Sequence, residues 1–205
     1  MLTLIRPAAA AAGRPRNECY NRPMAISTKF THADLLVMPD DGKRREIVDG
    51  ELFVTPSPLS KHQLIVSIIA PAFFLYLDDH PIGRLFMAPL DVIFGEYDVL
   101  EPDLLFILNE HRGIIQDWVR GAPDLVIEVL SPTTARQDRG PKLKAYARFG
   151  VPEYWIVDPD NRAVEVYRLA QTGYPEPRRF LEPDILASPL LPAFALAVRD
   201  IFKSL

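Results

Sequence analysis

Between Ala122 and Pro132 the sequence reads APDLVIEVLSP, and the glutamate inside it constrains the fold more than any other residue. Leu125, Val126, Ile127, Val129 and Leu130 form an apolar run of strand length with no polar–apolar alternation. Such runs belong to strands covered on both faces, near the centre of a layered sheet. Glu128 therefore enters surroundings in which a bare carboxylate costs several kcal/mol. The fold must bring it a compensating partner, either a cation or a proton.

The rest of the chain can supply such a sheet. It has 205 residues, 48% hydrophobic and 24% charged, enough for a full core in one soluble domain. No apolar run approaches the roughly 20 residues that span a bilayer, so no membrane partner is expected. Cys19 is the only cysteine, which excludes an intrachain disulfide and argues against a cysteine zinc site; the cytoplasm is the expected compartment. Residues 1–24 lack helical or strand period and read as a disordered leader, or as upstream of a true start at Met24. The domain is expected to span residues 25–205.

Several elements can be placed by pattern. THADLLVMPDDG reads as a short helix capped by Thr31, and REIVDGELFVTP as a hairpin turning at Asp49-Gly50. A long helix begins after SPLS with Ser60 as N-cap and runs to His80-Pro81. RLFMAPLDVIFG and LEPDLLFIL read as two strands preceding the Glu128 strand. A loop then enters a second helix, in which Pro141 fits the first turn and Gly150 the C-terminal stop. EYWIVDP and AVEVYRL are strands joined at Asp158–Asn161, and the proline-containing tail should be irregular or strand-like. This order gives a mixed α/β sandwich.

Two Pro-Asp pairs head apolar strands, Pro102-Asp103 and Pro123-Asp124. Asp124 precedes Glu128 by four residues on one strand, which separates them by roughly 13 Å. Two ligands of one hard cation cannot stand that far apart, whereas Asp103 on a neighbouring strand can lie beside Glu128. Two adjacent carboxylates repel unless one is protonated or a cation holds both ionised. Magnesium suits them, with manganese as a substitute: it prefers oxygen ligands, keeps waters, and combines one or two carboxylates with phosphate. Asp91, within an apolar strand, is a weaker third candidate.

EPDLLFI, followed by APDLVIEVLSPTTARQDRGPKLKAYARFGVPEYWIVDP, resembles the Uma family of the PD-(D/E)XK, or restriction-endonuclease-like, superfamily. REIVDGELFVTPSPLSKHQ and AVEVYRL are similar to it as well. The resemblance implies a restriction-endonuclease-like mixed sheet flanked by helices, with an added N-terminal β-hairpin, and phosphodiester hydrolysis. It gives metal-ligand roles to Asp103 and Glu128. The superfamily lysine would stand two residues after the acid, where this chain has Leu130. Relatives that move it onto the next helix point to Lys142 or Lys144. On a wheel of about 100° per residue, Leu143, Tyr146, Ala147 and Phe149 face inward, with Lys142 on their margin and Lys144 turned away with Arg148. Lys142 is therefore the expected catalytic amine. The family pattern also implicates His62, in the first turn of the long helix, and Glu46, beside the hairpin.

Net charge is −4, which does not advertise a nucleic-acid binder. Locally the balance reverses: Arg136, Arg139, Lys142, Lys144 and Arg148 stand against Asp138 alone, as a solvated helix face or as phosphate contacts. Ser131 and Asp138 are expected to shape the loop into the helix. A Mg²⁺-dependent endonuclease acting on nucleic acid, with DNA favoured and a homodimer possible, competes with a non-catalytic binding module on the same fold. Hydrolysis of another phosphoester is a third reading.

Overall fold

The computed structural model describes residues 29–205; the expected leader, residues 1–24, lies outside them. Two sheets pack face to face. The larger has six strands in the order β11-β10-β9-β8-β6-β3: β3 (Gly83–Met87), β6 (Leu104–Leu108), β8 (Leu125–Val129), β9 (Glu153–Asp158), β10 (Ala163–Arg168) and β11 (Arg178–Leu181). The smaller has five, in the order β2-β1-β5-β4-β7: β1 (Arg44–Val48), β2 (Glu51–Thr55), β4 (Val92–Gly95), β5 (Asp98–Leu100) and β7 (Val119–Arg120).

β8 is the strand expected from its apolar run. It pairs with β6 antiparallel and β9 parallel, and all five of its residues are buried. Period-two alternation splits its side chains between two cores. Leu125, Ile127 and Val129 join a cluster under the long helix α2 (Ser60–Asp79), with α5 (Val198–Phe202) and the hairpin of β12 (Ile185–Ser188) and β13 (Leu191–Ala197). Val126 and Leu130 join the other cluster, with Val48, Val92, Leu100 and Val119 of the smaller sheet and Tyr146 of α4 (Leu143–Phe149). Glu128 belongs to this second face.

Several expectations hold. Thr31 caps α1 (His32–Leu36) in a capping box with Asp34, and the hairpin turns at Asp49 (φ 52°) and Gly50 (φ 81°). Others need correction. RLFMAPLDVIFG and LEPDLLFIL are not two strands but four. Each is cut at a proline, Pro89 and Pro102, and its halves lie in different sheets, because proline cannot donate to a central ladder. The N-terminal hairpin is thus part of a second sheet rather than an appendage. Ser60 is the first helical residue of α2, and Leu59 holds the cap position without a side-chain hydrogen bond. By length and mean apolarity α2 does match a membrane span, contrary to expectation, although its inner side is buried in the core. Pro141 lies inside the second helical segment, which starts earlier, with α3 (Ala135–Gln137); a π-helical turn over Asp138–Lys142 widens the backbone around it. The tail adds α5, too short for its period to show in the sequence.

Candidate active site

Both crossings between the sheets, 88–91 and 101–103, run over the same end of the β6–β8 pair, and charged groups converge there. The register pairs Leu104 with Ile127; one step further out it sets Asp103 opposite Glu128. Directly opposed residues share a face, with Cβ atoms about 4.5–5.5 Å apart. Asp103 accepts the Val129 N–H at 2.8 Å, His62 Nε2–H at 2.9 Å and Arg44 Nη1–H at 2.9 Å. Glu128 Oε1 accepts from Lys142 Nζ at 2.9 Å and from the Tyr146 hydroxyl at 3.0 Å. Its Oε2 accepts no hydrogen bond among the described residues and lies 3.8 Å from Arg44 Nη2.

Lys142 is the better of the two lysines. The π-helical turn faces Lys142 and Asp138 inward together, Nζ to Oδ1 3.4 Å, and sets Lys142 Nζ 2.8 Å from Glu46 Oε1. Lys144 is exposed and lines a separate groove beside Tyr174. The buried side of the helix comprises Lys142, Ala145 and Tyr146, so Lys142 is inside rather than on the margin. Glu46 hydrogen-bonds the Glu101 N–H at 2.9 Å and anchors the ammonium from the hairpin. His62 reaches Asp103 from the first turn of α2. Asp103, Glu128, Lys142, His62 and Glu46 thus come together, whereas the weaker candidate Asp91 stays outside. Asp91 is half-buried and does not line the cleft described below. Asp124 serves the far end of the strand pair.

Burial alone would raise the Asp103 carboxyl, but His62, Arg44 and the Val129 N–H hold it well below the usual carboxylate range. Burial pushes Glu128 the other way, and the nearby Asp103 and Asp138 charges add to it despite Lys142 and Arg44. Glu101 is pushed up to about 7, mainly by burial. Burial opposes the charge on Lys142 and Arg44, yet the surrounding carboxylates keep both protonated.

Arg44 is the residue that the sequence reading missed. Its guanidinium spans Asp103, Glu101 (Nε to Oε1 3.2 Å), Glu46 and Glu128. A signal was present: Arg44, Glu46 and Val48 alternate on the face of β1 that packs inward, and two charges on a core-facing strand demand partners. Glu101, beside the Pro102 crossing, was missed too.

Five carboxylates, Glu46, Glu101, Asp103, Glu128 and Asp138, face two permanent cations, Arg44 and Lys142. Ionised together the five would leave a negative surplus. Without a cation, burial and mutual repulsion raise Glu101, Glu128 and Asp138 toward the protonated form, and a hard divalent cation, which takes oxygen ligands, would relieve that repulsion. Asp103 and Glu128 are the pair that could hold it, with Glu128 Oε2 the oxygen that accepts no hydrogen bond. Among the described residues no group of three or more His, Cys, Asp and Glu is placed to hold a metal ion. Two carboxylates with waters and phosphate oxygens would suffice for Mg²⁺.

The cluster floors a cleft of about 540 Å³ between the 55–59 and 131–134 loops. Arg44 and Thr55 line it; Arg44 Nε and Nη2 and Thr55 Oγ1 are buried and make no hydrogen bond, Arg44 Nε having only its ion pair with Glu101 at 3.2 Å among the described residues. Such donors suit the oxygens of an anionic ligand. The basic stretch does not read as expected, because its charges are largely committed to acids. Arg139 binds Asp158 and Glu165, Arg148 binds Asp98, and Lys142 is buried. Among the described residues only Arg136 and Lys144 of that stretch make no ion pair.

A family model, Uma2, described as "Putative restriction endonuclease", matches residues 32–199. A solved structure, "a putative nuclease belonging to DUF820" from Anabaena variabilis ATCC 29413, superposes with a TM-score of 0.72 at 25% sequence identity. It covers 85% of this chain and 98% of its own. No curated protein matches the chain.

Proposed function

The chain belongs to the Uma2 family of restriction-endonuclease-like proteins, and from that premise we propose that it is a Mg²⁺-dependent endonuclease hydrolysing phosphodiester bonds of DNA, with Mn²⁺ able to replace Mg²⁺. The observation that supports this most is the register that faces Asp103 with Glu128, with Lys142 bound to the same glutamate.

Asp103 and Glu128 would hold the cation, which when bound supplies Lewis-acid polarisation of the phosphoryl group and acidifies an attacking water. The chain's own residues do the rest. His62 and the Val129 N–H fix the Asp103 carboxylate and keep it ionised. Lys142 and Tyr146 hold Glu128 through Oε1, leaving Oε2 without a hydrogen bond at a residue that lines the cleft. Glu46 and Asp138 keep the Lys142 ammonium charged and in position. Arg44, with two N–H groups free of hydrogen bonds, can meet charge growing on the phosphate oxygens. These groups act together only with the cation present, because Arg44 otherwise leans on the carboxylates that would ligate it.

The test is nicking of supercoiled and single-stranded DNA by purified protein with Mg²⁺, with Mn²⁺ and with chelator. Metal-dependent cleavage that disappears in Glu128→Gln is the expected result. Equal cleavage by wild type and variant would mean contamination and overturn the reading. A second reading has one observation in its favour, the pairing of Arg139 and Arg148 with acids. On it the protein is an eroded nuclease fold that binds nucleic acid or protein without cutting. Salt-dependent DNA binding unaffected by Glu128→Gln, with no cleavage, would select it.

A further inference from the structure

Helix α2 is apolar on the side away from the core as well as on the side within it. Ile65, Ile69 and Phe73 are buried against the sheet, whereas Leu64 is 43%, Phe74 44% and Leu75 70% exposed. On a helical wheel Leu64, Ile68, Pro71 and Leu75 fall on one outward stripe, about opposite the buried residues. A long helix with apolar residues all round is ordinarily covered on all sides, and a contiguous outer patch marks a contact surface.

The order of residues along the stripe says what covers it. About the point between Ile69 and Ala70, Leu64 mirrors Leu75 and Ile68 mirrors Pro71. Beyond the apolar part, Lys61 mirrors Asp78, so opposite charges stand at equivalent distances from the centre. A two-fold contact is self-complementary: residue i meets j, and j meets i. Laid antiparallel on its own copy, this helix would pack its apolar centre on itself and set each Lys61 against the other Asp78. Asp78 is exposed and pairs with no cation among the described residues. Lys61 has only an exposed contact with Asp160, of the kind that contributes little and is easily exchanged.

We propose that the outward face of α2 is a homodimer interface, in which the helix packs antiparallel against α2 of a second copy across a two-fold axis, flanked by two Lys61–Asp78 pairs. The small Pro71, Ser67 and Ala72 near the middle allow the helix axes the 8–10 Å approach typical of such packing. The assembly does not depend on whether the protein cuts DNA.

Light scattering on the eluting full-length chain, with sedimentation velocity over a concentration series, tests this. The wild type should have twice the chain mass. Leu64→Glu/Leu75→Glu, both changes at exposed sites, should be monomeric with unaltered circular dichroism and melting. Lys61→Glu alone should weaken the dimer several-fold, and adding Asp78→Lys should restore it, a rescue that nonspecific stickiness would not give. Wild type monomeric at every concentration overturns the proposal, as does a dimer insensitive to the double glutamate. In the first case, flotation with phosphatidylglycerol vesicles would show a lipid surface as the occupant of the stripe instead.

Discussion

The two ends of the β6–β8 pair carry nearly the same local chemistry and differ in everything around it. At one end Asp103, after Pro102, accepts the Val129 N–H at 2.8 Å and a histidine N–H at 2.9 Å. At the other Asp124, after Pro123, accepts the Leu108 N–H at 2.8 Å and a histidine N–H at 2.7 Å. Both aspartates are almost fully buried. Each ties the start of its own strand to the end of the neighbour, which accounts for a Pro-Asp pair at each end. Only at the Asp103 end do the hairpin and the π-helical turn bring Arg44, Glu46, Glu128 and Lys142 to the same point. The motif alone is a strand clamp; convergent charge is what makes one copy of it a candidate active site.

The sharpest way to break that contrast is to neutralise each aspartate in turn. Asp103→Asn should lose Mn²⁺ binding, measured by calorimetry, and cleavage should fall by at least on the order of 100-fold, the upper end of what even supporting groups at metal sites contribute. Asp124→Asn should keep both while lowering stability by about 1–3 kcal/mol in urea unfolding, through a weakened buried hydrogen bond. If Asp124→Asn abolishes metal binding as completely as Asp103→Asn, the two ends are not functionally distinct.

Arg44 sharpens the contrast, since among the described residues no arginine or lysine pairs with Asp124. Its guanidinium leans on Asp103 and Glu128, the proposed metal ligands, so it opposes a cation there. Arg44→Gln should tighten Mn²⁺ binding by about tenfold, a modest share of the charge–charge repulsion expected at a few ångströms. Cleavage should nevertheless fall, because the phosphate loses its donors. Weaker Mn²⁺ binding in Arg44→Gln would show that the arginine orders the carboxylates rather than competing for them.

The same charge excess makes metal-free stability depend on pH. Burial raises Glu101 to about 7 and raises Glu128 as well, so the folded state holds protons that the unfolded chain has already released. Where the folded state binds more protons, stability falls as pH rises. The metal-free protein should therefore lose a few degrees of melting temperature between the ordinary glutamate range and slightly alkaline pH, and Mn²⁺ should restore them. A melting temperature that rises steadily over that interval would contradict the cluster's charge balance.

Much of this was legible in the sequence, for identifiable reasons. Glu128 stood out because one polar residue interrupts a doubly covered strand, and strand rise alone removed Asp124 as its partner. Lys142 was accessible through helical phase, although the phase was imperfect because the π-helical turn shifts it. Arg44 was not found, since its role depends on a contact between sheets that no local pattern encodes. The two-sheet architecture was missed where Pro89 and Pro102 each cut one apparent strand into two, a signal present in the residues but outweighed by the continuity of the apolar runs. Two elements with identical alternation can join different sheets, and only the packing of the whole chain decides.

The smallest test sets the two histidines against each other. His62 is buried, whereas the His111 side chain is about half exposed (52%), although each donates to its aspartate over a similar distance. His111→Ala should cost about 0.5–1.5 kcal/mol of stability, the range of one net hydrogen bond, and leave Mn²⁺ affinity and cleavage as they were. His62→Ala should cost a similar amount of stability and also alter the pH dependence of Mn²⁺ binding. The reason is that Asp103 owes its depressed protonation partly to His62, and without that support it competes less well for a cation as pH falls. Restoring a donor with His62→Gln should recover part of the pH profile; a purely structural role for His62 would restore stability and leave the profile unchanged. The distinction lies in the neighbours of Asp103, which convert a change in one hydrogen bond into a change in how the whole cluster shares its charge.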